Sequence, residues 1–308
     1  MNEREFQINE LVKSSHHPQL NSVLVWQDGQ LQAECYFNGF TAESRHNIKS
    51  VVKSILSIGI GIAQDQGLLN VDDKISKYVT EFDEGRDLRH RMITIKHLLT
   101  MSSGIFWQGG VHYHCPMMDA MRRSRNWIDY IADCKVTESP GAVHNYKEFD
   151  VILLSAILSK VTGDAFDYIN EKLFTPLEIY NERWIKSPDG VYYSPALDKE
   201  EESVSALTAR EMLKIGQLFL QKGIWNGKQI ISKEYIDSAI SPSPQNSGYG
   251  YLWWLGEGWY GCRGYGGQSI TVFPGKNKIV VTQATATSSC TILLKSTWRL
   301  VEVAAHLC

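Results

Sequence analysis

The sequence predicts an α+β fold, in which an antiparallel sheet flanked by N- and C-terminal helices is interrupted by a large helical insertion domain. Three observations carry this. Two β-like runs, Ser22–Gln27 (SVLVWQ) and Leu31–Phe37 (LQAECYF), stand near the start and are joined through Asp28-Gly29, a strong hairpin signal. Three more, Tyr249–Leu255, Gln268–Phe273 and Lys278–Ala284, follow Ser241-Pro242-Ser243-Pro244. The stretch between them, from 70 to about 235, is helical and loop-like in pattern. Strands from both ends can share one sheet if the helical part is inserted between them. The expected division is a sheet domain over 1–68 and 237–308, with 69–236 as the inserted domain.

Taken in order, residues 3–14 (EREFQINELVKS) place Phe6, Ile8, Leu11 and Val12 at the spacing of a short amphipathic helix. After the hairpin, Ile48–Gln66 reads as a buried helix with Gly67 as its stop. The clearest helices of the middle are Ile93–Met101, Val151–Thr162, Ala165–Leu173 and Thr208–Lys222. Gly163 and Gly223 stand just past two of them, where a left-handed cap is usual. Pro274–Asn277 joins the last two strands as a turn. Thr291–Leu307 closes the chain as an apolar-periodic helix.

Composition narrows the function. The chain has 308 residues, 43% hydrophobic and 21% charged, with 31 Lys+Arg against 34 Asp+Glu. Such a chain buries a large core without help from disulfides or metal. The charge balance argues against a nucleic-acid or anionic-membrane partner, which would call for a basic patch. The opening residues show no basic region followed by an apolar one and a cleavage site. The longest apolar stretch, Ile55–Ala63, is broken by Ser57, Gly59 and Gly61 and is too short to span a bilayer. Six cysteines (35, 115, 134, 262, 290 and 308) lack CxxC spacing and read as reduced thiols, so a cytoplasmic location is expected.

The sharpest chemical signal is Ser50-Val51-Val52-Lys53. A serine hydroxyl is a poor nucleophile until a base takes its proton. Positions i and i+3 share one helix face, which brings the lysine amine to the serine oxygen. Burial among Val51, Val52 and Ile55 can lower the pKa of Lys53 and make it a base. The bland alternative makes Ser50 a helix N-terminal residue and Lys53 a snorkelling surface lysine. A rival constellation is His112-Tyr113-His114-Cys115, with His144 further on. Alternate residues of an extended segment would offer His112 and His114 to a zinc ion, but no HExxH or CxxC supplies further ligands. Neither a metal nor a cofactor is expected.

Beyond these local readings, the chain resembles the serine hydrolases related to class C β-lactamases, penicillin-binding DD-peptidases, EstB-type esterases and 6-aminohexanoate-oligomer hydrolases. The likeness runs nearly end to end. It rests on Asn47–Lys53 (NIKSVVK), Val71–Ile75 (VDDKI), Ile95–Gly104 (IKHLLTMSSG), Gly141–Gly163, Leu207–Met212 (LTAREM), Asn226–Gln229 (NGKQ) and Gly264–Pro274 (GYGGQSITVFP). The resemblance implies a β-lactamase/transpeptidase-like fold. It implies that Ser50 is acylated and that Lys53 helps to deprotonate it. Tyr146 falls on the active-site tyrosine, whose phenolate, stabilised by an ammonium, would take the serine proton and later protonate the leaving group. The backbone N–H of Tyr265, after Gly264, would form an oxyanion hole with the Ser50 N–H.

Two departures stand out. Glu148 occupies the place of an asparagine in β-lactamases, and an ionised carboxylate cannot donate to a substrate carbonyl. Cys262-Arg263-Gly264 replaces Lys or His, a small residue and Gly. Arg263 could bind a substrate carboxylate, unless strand alternation points it away. The loop holding the His112–Cys115 cluster overhangs the site by family position, where His or Cys could line the substrate pocket. The aromatic residues Trp107, Tyr113, Trp253, Trp254, Trp259 and Tyr260 suggest an aromatic-lined pocket, with about half of them filling the core instead. Glu148, Cys262, Arg263, Gly264 and Trp107 are thus the candidate substrate contacts. The expected function is an intracellular esterase or amidase acting on a small-molecule ester or amide. The alternatives are penicillin-binding or β-lactamase activity, and a non-catalytic acyl-binding sensor.

Overall fold

The computed structural model describes residues 2–14, 19–83, 87–109, 115–180, 184–193, 205–285 and Val301. Helix α1 (Glu3–Ser14) leads into the hairpin of β1 (Leu20–Gln27) and β2 (Gln30–Tyr36). Asp28 and Gly29 both adopt positive φ, 51° and 85°, as a tight hairpin of this handedness requires. The short β3 (His46–Asn47) pairs with β6 (Ala206–Leu207) just before helix α2 (Val51–Asp65). Helices α3 (Ile95–Leu99), α4 (Pro116–Arg123), α5 (Trp127–Ala132), α6 (Glu148–Thr162) and α7 (Ala165–Ile169) fill the middle of the chain. The hairpin of β4 (Ile185–Lys186) and β5 (Tyr192–Tyr193) follows, then α8 (Ala209–Leu220), a second small hairpin of β7 (Ile224–Trp225) and β8 (Lys228–Gln229), and α9 (Lys233–Ala239). The chain returns to the sheet with β9 (Trp254–Gly256), β10 (Trp259–Gly264), β11 (Gln268–Phe273) and β12 (Lys278–Ala284).

The main sheet has the order β2-β1-β12-β11-β10-β9, with every neighbouring pair antiparallel. β1 and β12 lie side by side, Val25 opposite Val280 and Leu24 opposite Val281, so the two ends of the chain close one sheet. Alternation divides the sheet's side chains. Leu24, Ile270, Ile279 and Val281 join the large core beneath α2 and α8. Val23, Val25 and Val280 pack with Ile8 and Val12 of α1 on the opposite face. Helix α8 belongs to the sheet layer by contact, since a Cβ on Gly216 would stand 2.9 Å from Ile270 Cγ2 and 3.0 Å from Ile279 Cγ2. The expected boundaries place this helix with the insertion. Only its tertiary packing shows that it covers the sheet.

Helix α2 is the spine of the molecule, buried without interruption from Val51 to Ala63. Gly59 lets it approach Leu158 of α6 and Ile169 of α7, and Gly61 admits Tyr235 of α9 together with Ile231. Among the described residues, no helix is long and apolar enough to cross a membrane. The stretch Tyr249–Leu255, read as one strand, is strand only from Trp254. Its earlier part turns at Leu252 (φ 61°), whose N–H is bound by the Leu99 carbonyl at 2.9 Å. The closing helix expected over Thr291–Leu307 lies outside the described residues, apart from Val301.

Candidate active site

The start of α2 is shaped by the residues before it. The β3–β6 bridge fixes residues 46 and 47, and the Ile48 N–H donates to the Ser205 carbonyl at 3.1 Å. Asn47 Oδ1 accepts the Lys49 N–H at 2.8 Å, and Lys49 takes a left-handed conformation with φ 52°. A non-glycine residue held there costs on the order of 1 kcal/mol or more. The helix therefore starts later than the expected Ile48, with Ser50 as its N-cap (φ −66°, ψ −2°). An N-cap serine ordinarily spends its oxygen on the helix. Ser50 makes no such bond, and its Oγ instead accepts from Lys53 Nζ at 3.1 Å. Lys53 is 3% exposed, so neither the capping serine nor the snorkelling lysine describes this pair.

Lys53 Nζ also donates to Glu148 Oε1 at 2.7 Å and lies 5.3 Å from the centre of the Tyr146 ring. Burial disfavours the ammonium, but the adjacent Glu148 carboxylate and Tyr146 outweigh it, and the Lys53 pKa is raised. The lowering expected from apolar neighbours is thus reversed by Glu148 and Tyr146 together. For Tyr146, burial raises the phenol pKa more than the Lys53 ammonium lowers it. Its side chain is within hydrogen-bonding reach of Ser50 and Lys53, and the raised pKa runs against the phenolate expected there. Ser50, Lys53, Tyr146 and Glu148 therefore converge, with Glu148 Oε1 held by the lysine.

A second polar group locks this segment in place. Lys147 is 1% exposed and donates to the Ile105 carbonyl at 2.8 Å and to Ser103 Oγ at 3.3 Å. Ser103 Oγ donates to Asp150 Oδ1 at 2.6 Å. The Asn145 N–H donates to the Met101 carbonyl at 2.7 Å, where φ is 54°. Alternation across Tyr146-Lys147-Glu148 thus sends the middle residue into one buried network and its neighbours into the other. A buried lysine between two site residues is the signal in the sequence that could have disclosed this anchoring.

At the sheet edge, Gly264 abuts the segment before Ser50, and a Cβ there would fall 2.3 Å from the Ile48 carbonyl oxygen and 3.1 Å from Lys49 Cβ. Tyr265 begins the turn that continues through Gly266 and Gly267, at φ 90° and 102°. Cys262 is not a substrate contact. It is 1% exposed and packed against Ser54 of α2, and burial pushes its thiol up to about 12. Arg263 projects from the other face of β10, its guanidinium 4.6 Å from the Trp259 ring centre, so alternation has turned it away from the face on which Cys262 meets α2. Trp107 meets Phe149 edge to face at 4.8 Å, which places it over α6.

The aromatic neighbour of the site is Trp254, stacked on Tyr146 at 5.9 Å, with Tyr249 edge-on to both. Trp253 and Tyr260 pack with Phe219 in the core. Tyr113, His112 and His114 lie outside the described residues. His144 Nδ1 is 3.0 Å from the Thr100 carbonyl oxygen, and Cys115 Sγ is 3.6 Å from that of Gln108. Among the described residues no three His, Cys, Asp or Glu side chains are grouped to hold a metal ion. A small cavity of about 10 Å³, room for roughly one water molecule, lies between α2 and α6 beside the Lys53–Glu148 pair. Val52, Leu56, Val151, Ile152, Trp184 and Tyr192 give it apolar and aromatic walls.

Known proteins share this architecture. A Bacillus anthracis structure described as "Putative 6-aminohexanoate-dimer hydrolase" superposes with a TM-score of 0.71 at 20% identity, over 99% of this chain and 84% of that one. "EstCE1, a hydrolase with promiscuous acyltransferase activity" gives 0.69 at 17% identity, over 91% and 92%. The "Putative penicillin-binding protein PbpX" of Bacillus subtilis is 24% identical over 247 residues, 75% of this chain and 56% of that protein, so this chain spans little more than half of that relative. The family model described as Beta-lactamase matches residues 10–290, almost the whole chain, and with the fold and the Ser50–Lys53–Tyr146 cluster in place the protein belongs to the beta-lactamase family.

Proposed function

We propose that the protein is a serine hydrolase that cleaves a small-molecule ester or amide through an acyl-enzyme on Ser50. The observation that carries this is the Ser50 hydroxyl itself. It opens a buried helix, makes no cap, and is held at 3.1 Å by a lysine that is 3% exposed. Ser50 Oγ attacks the carbonyl carbon while its proton passes into the buried Lys53–Tyr146–Glu148 cluster, whose carboxylate leaves room for it. The neutral Tyr146 phenol is poised to protonate the leaving oxygen or nitrogen, and water then releases the acyl group by the same route reversed. The Ser50 and Tyr265 N–H groups, brought near by the Gly264 approach, are the proposed oxyanion donors. Two such donors lower a barrier by several kcal/mol.

Esterase or amidase chemistry suits the site better than β-lactam turnover. Glu148 offers no donor for an acylamino carbonyl, and neither Cys262 nor Arg263 presents a cation beside Ser50. The reduced thiols of Cys35, Cys115, Cys134 and Cys262 fit a cytoplasmic setting. The test is hydrolysis of a panel of p-nitrophenyl esters and anilides by the wild type and by Ser50→Ala. The expected result is turnover of at least one substrate, with a loss of about a thousandfold or more in the variant and an unchanged melting curve. Equal activity in the variant contradicts the assignment.

A further inference from the structure

Glu148 has no task in a scheme drawn from Ser50, Lys53 and Tyr146, yet it is the nearest partner of the lysine. Its Oε1 lies 2.7 Å from Lys53 Nζ, closer than the 3.1 Å from the same ammonium to Ser50 Oγ. The two side chains are 4% and 7% exposed, so little water competes for either. Among the described residues no donor meets Glu148 Oε2, and the side chain lines the cavity between α2 and α6.

The titratable groups around Lys53 come from every element packed there. Lys49 precedes α2, Tyr146 comes from the loop before α6, and Tyr249 stands behind Tyr146. Lys147 and Asp150 turn to Ser103 on the far side. Cys262 of β10 faces Ser54, and Arg263 lies on the opposite face of that strand. Glu148 is thus the one carboxylate among the described residues in contact with the ammonium.

Building on Ser50 as the nucleophile, we propose that Glu148 is a positioning residue that acts through Lys53 as the terminal proton acceptor of a Ser50–Lys53–Glu148 relay. As Ser50 Oγ bonds to the carbonyl carbon, its proton moves to Lys53 Nζ and one lysine proton moves to Glu148 Oε1. The proton given to Glu148 frees the nitrogen lone pair that takes the Ser50 proton, so Lys53 begins and ends the step as an ammonium, and the carboxylate becomes a carboxylic acid. When the tetrahedral species collapses, Tyr146 protonates the leaving atom and is itself reprotonated from Glu148 through Lys53. No outside acid or base is consumed. A raised lysine pKa, which would disable a lysine acting as a free base, is what such a relay requires of its middle member.

The direction of a pH shift tests this. The rate at which a fluorophosphonate labels Ser50 is read by intact mass against pH for wild type, Glu148→Gln and Glu148→Asp, with Ser50→Ala as control. A relay makes the acid limb of the Gln variant move to higher pH, because labelling then waits for Lys53 to lose its own proton. Each pH unit of that shift lowers the rate on the acid side about tenfold. Glu148→Asp, which keeps the carboxylate, stays within one unit of wild type on the same scale. A limb that moves to lower pH overturns the relay, since removing Glu148 would then have released a lysine base. An unmoved limb overturns it equally, in favour of Tyr146 alone.

If the Gln variant does not fold, a proton inventory on the wild type in mixed H2O and D2O decides. A bowed dependence means two protons in flight and supports the relay, whereas a straight line means one and contradicts it. Adducts that persist in Ser50→Ala would instead sink the nucleophile assignment, which keeps the two failures apart.

Discussion

Ser50 and its partners owe their behaviour to what each buried polar atom has to bond with. His46 shows the same logic away from the chemistry. It is 9% exposed, stacks on Phe40 at 4.5 Å and has no hydrogen-bond partner at Nε2 among the described residues, and burial lowers its pKa to about 4. The unfolded chain takes up this proton below about 6.5, and the folded protein only below about 4, so stability falls as pH drops through that window. The loss from this residue is about 3 kcal/mol. Urea unfolding at the two ends of the window, for wild type and His46→Phe, checks it. The variant is expected to lose about that much less than wild type, and equal losses would refute it. The Ser50–Lys53 pair was legible in the sequence because its spacing is local and its helix is apolar on all sides. The Lys53–Glu148 bond was not, because its partners are 95 positions apart and pair only through folding. Reading Glu148 beside an absent asparagine showed what it could not donate, and left out what it could hold.

At the scale of elements, two close approaches set the position of Ser50. Helix α2 fits between α6, α7 and α9 because Gly59 and Gly61 carry no side chain, and a Cβ on Gly61 would come 2.5 Å from Tyr235 Cδ1. Gly61→Val is expected to destabilise the fold by about 1–3 kcal/mol through overpacking, read as a lowered melting temperature. Gly264→Val acts differently, because its methyls push on the Ile48 carbonyl that precedes Ser50. Displacing a reacting group by an ångström costs about a hundredfold in rate. The expected outcome is a loss of kcat/KM of that order that exceeds the accompanying loss of stability, and unimpaired kinetics in a folded variant would contradict it. Helix interiors were readable from periodicity, as at Val151–Thr162. Their starts were less so, since the left-handed Lys49 that delays α2 is imposed by the β3–β6 bridge and carries no glycine to announce it. Tyr249–Leu255 looked like a strand because its aromatic residues suit one, while tertiary hydrogen bonds to Leu99 and Ser54 turn the chain at Leu252.

Across the whole molecule, the first and last strands meet at β1 and β12, and the helical middle of the chain is held over the sheet by α2 and α8. That both ends share a sheet was legible from strand signals on either side of a helical stretch. That α8 leaves the middle to cover the sheet was not, because an amphipathic helix does not name the surface it will bury. This arrangement brings residues 50, 146 and 264 together from three distant parts of the chain. In the proposed function, that convergence makes the Ser50 hydroxyl reactive. The most direct measurement is intact mass after incubation with a fluorophosphonate, followed by peptide mapping. The expected result is one adduct per chain, on Ser50, absent from Ser50→Ala. A folded wild-type protein that takes no adduct, or takes it at another residue, would contradict the central claim.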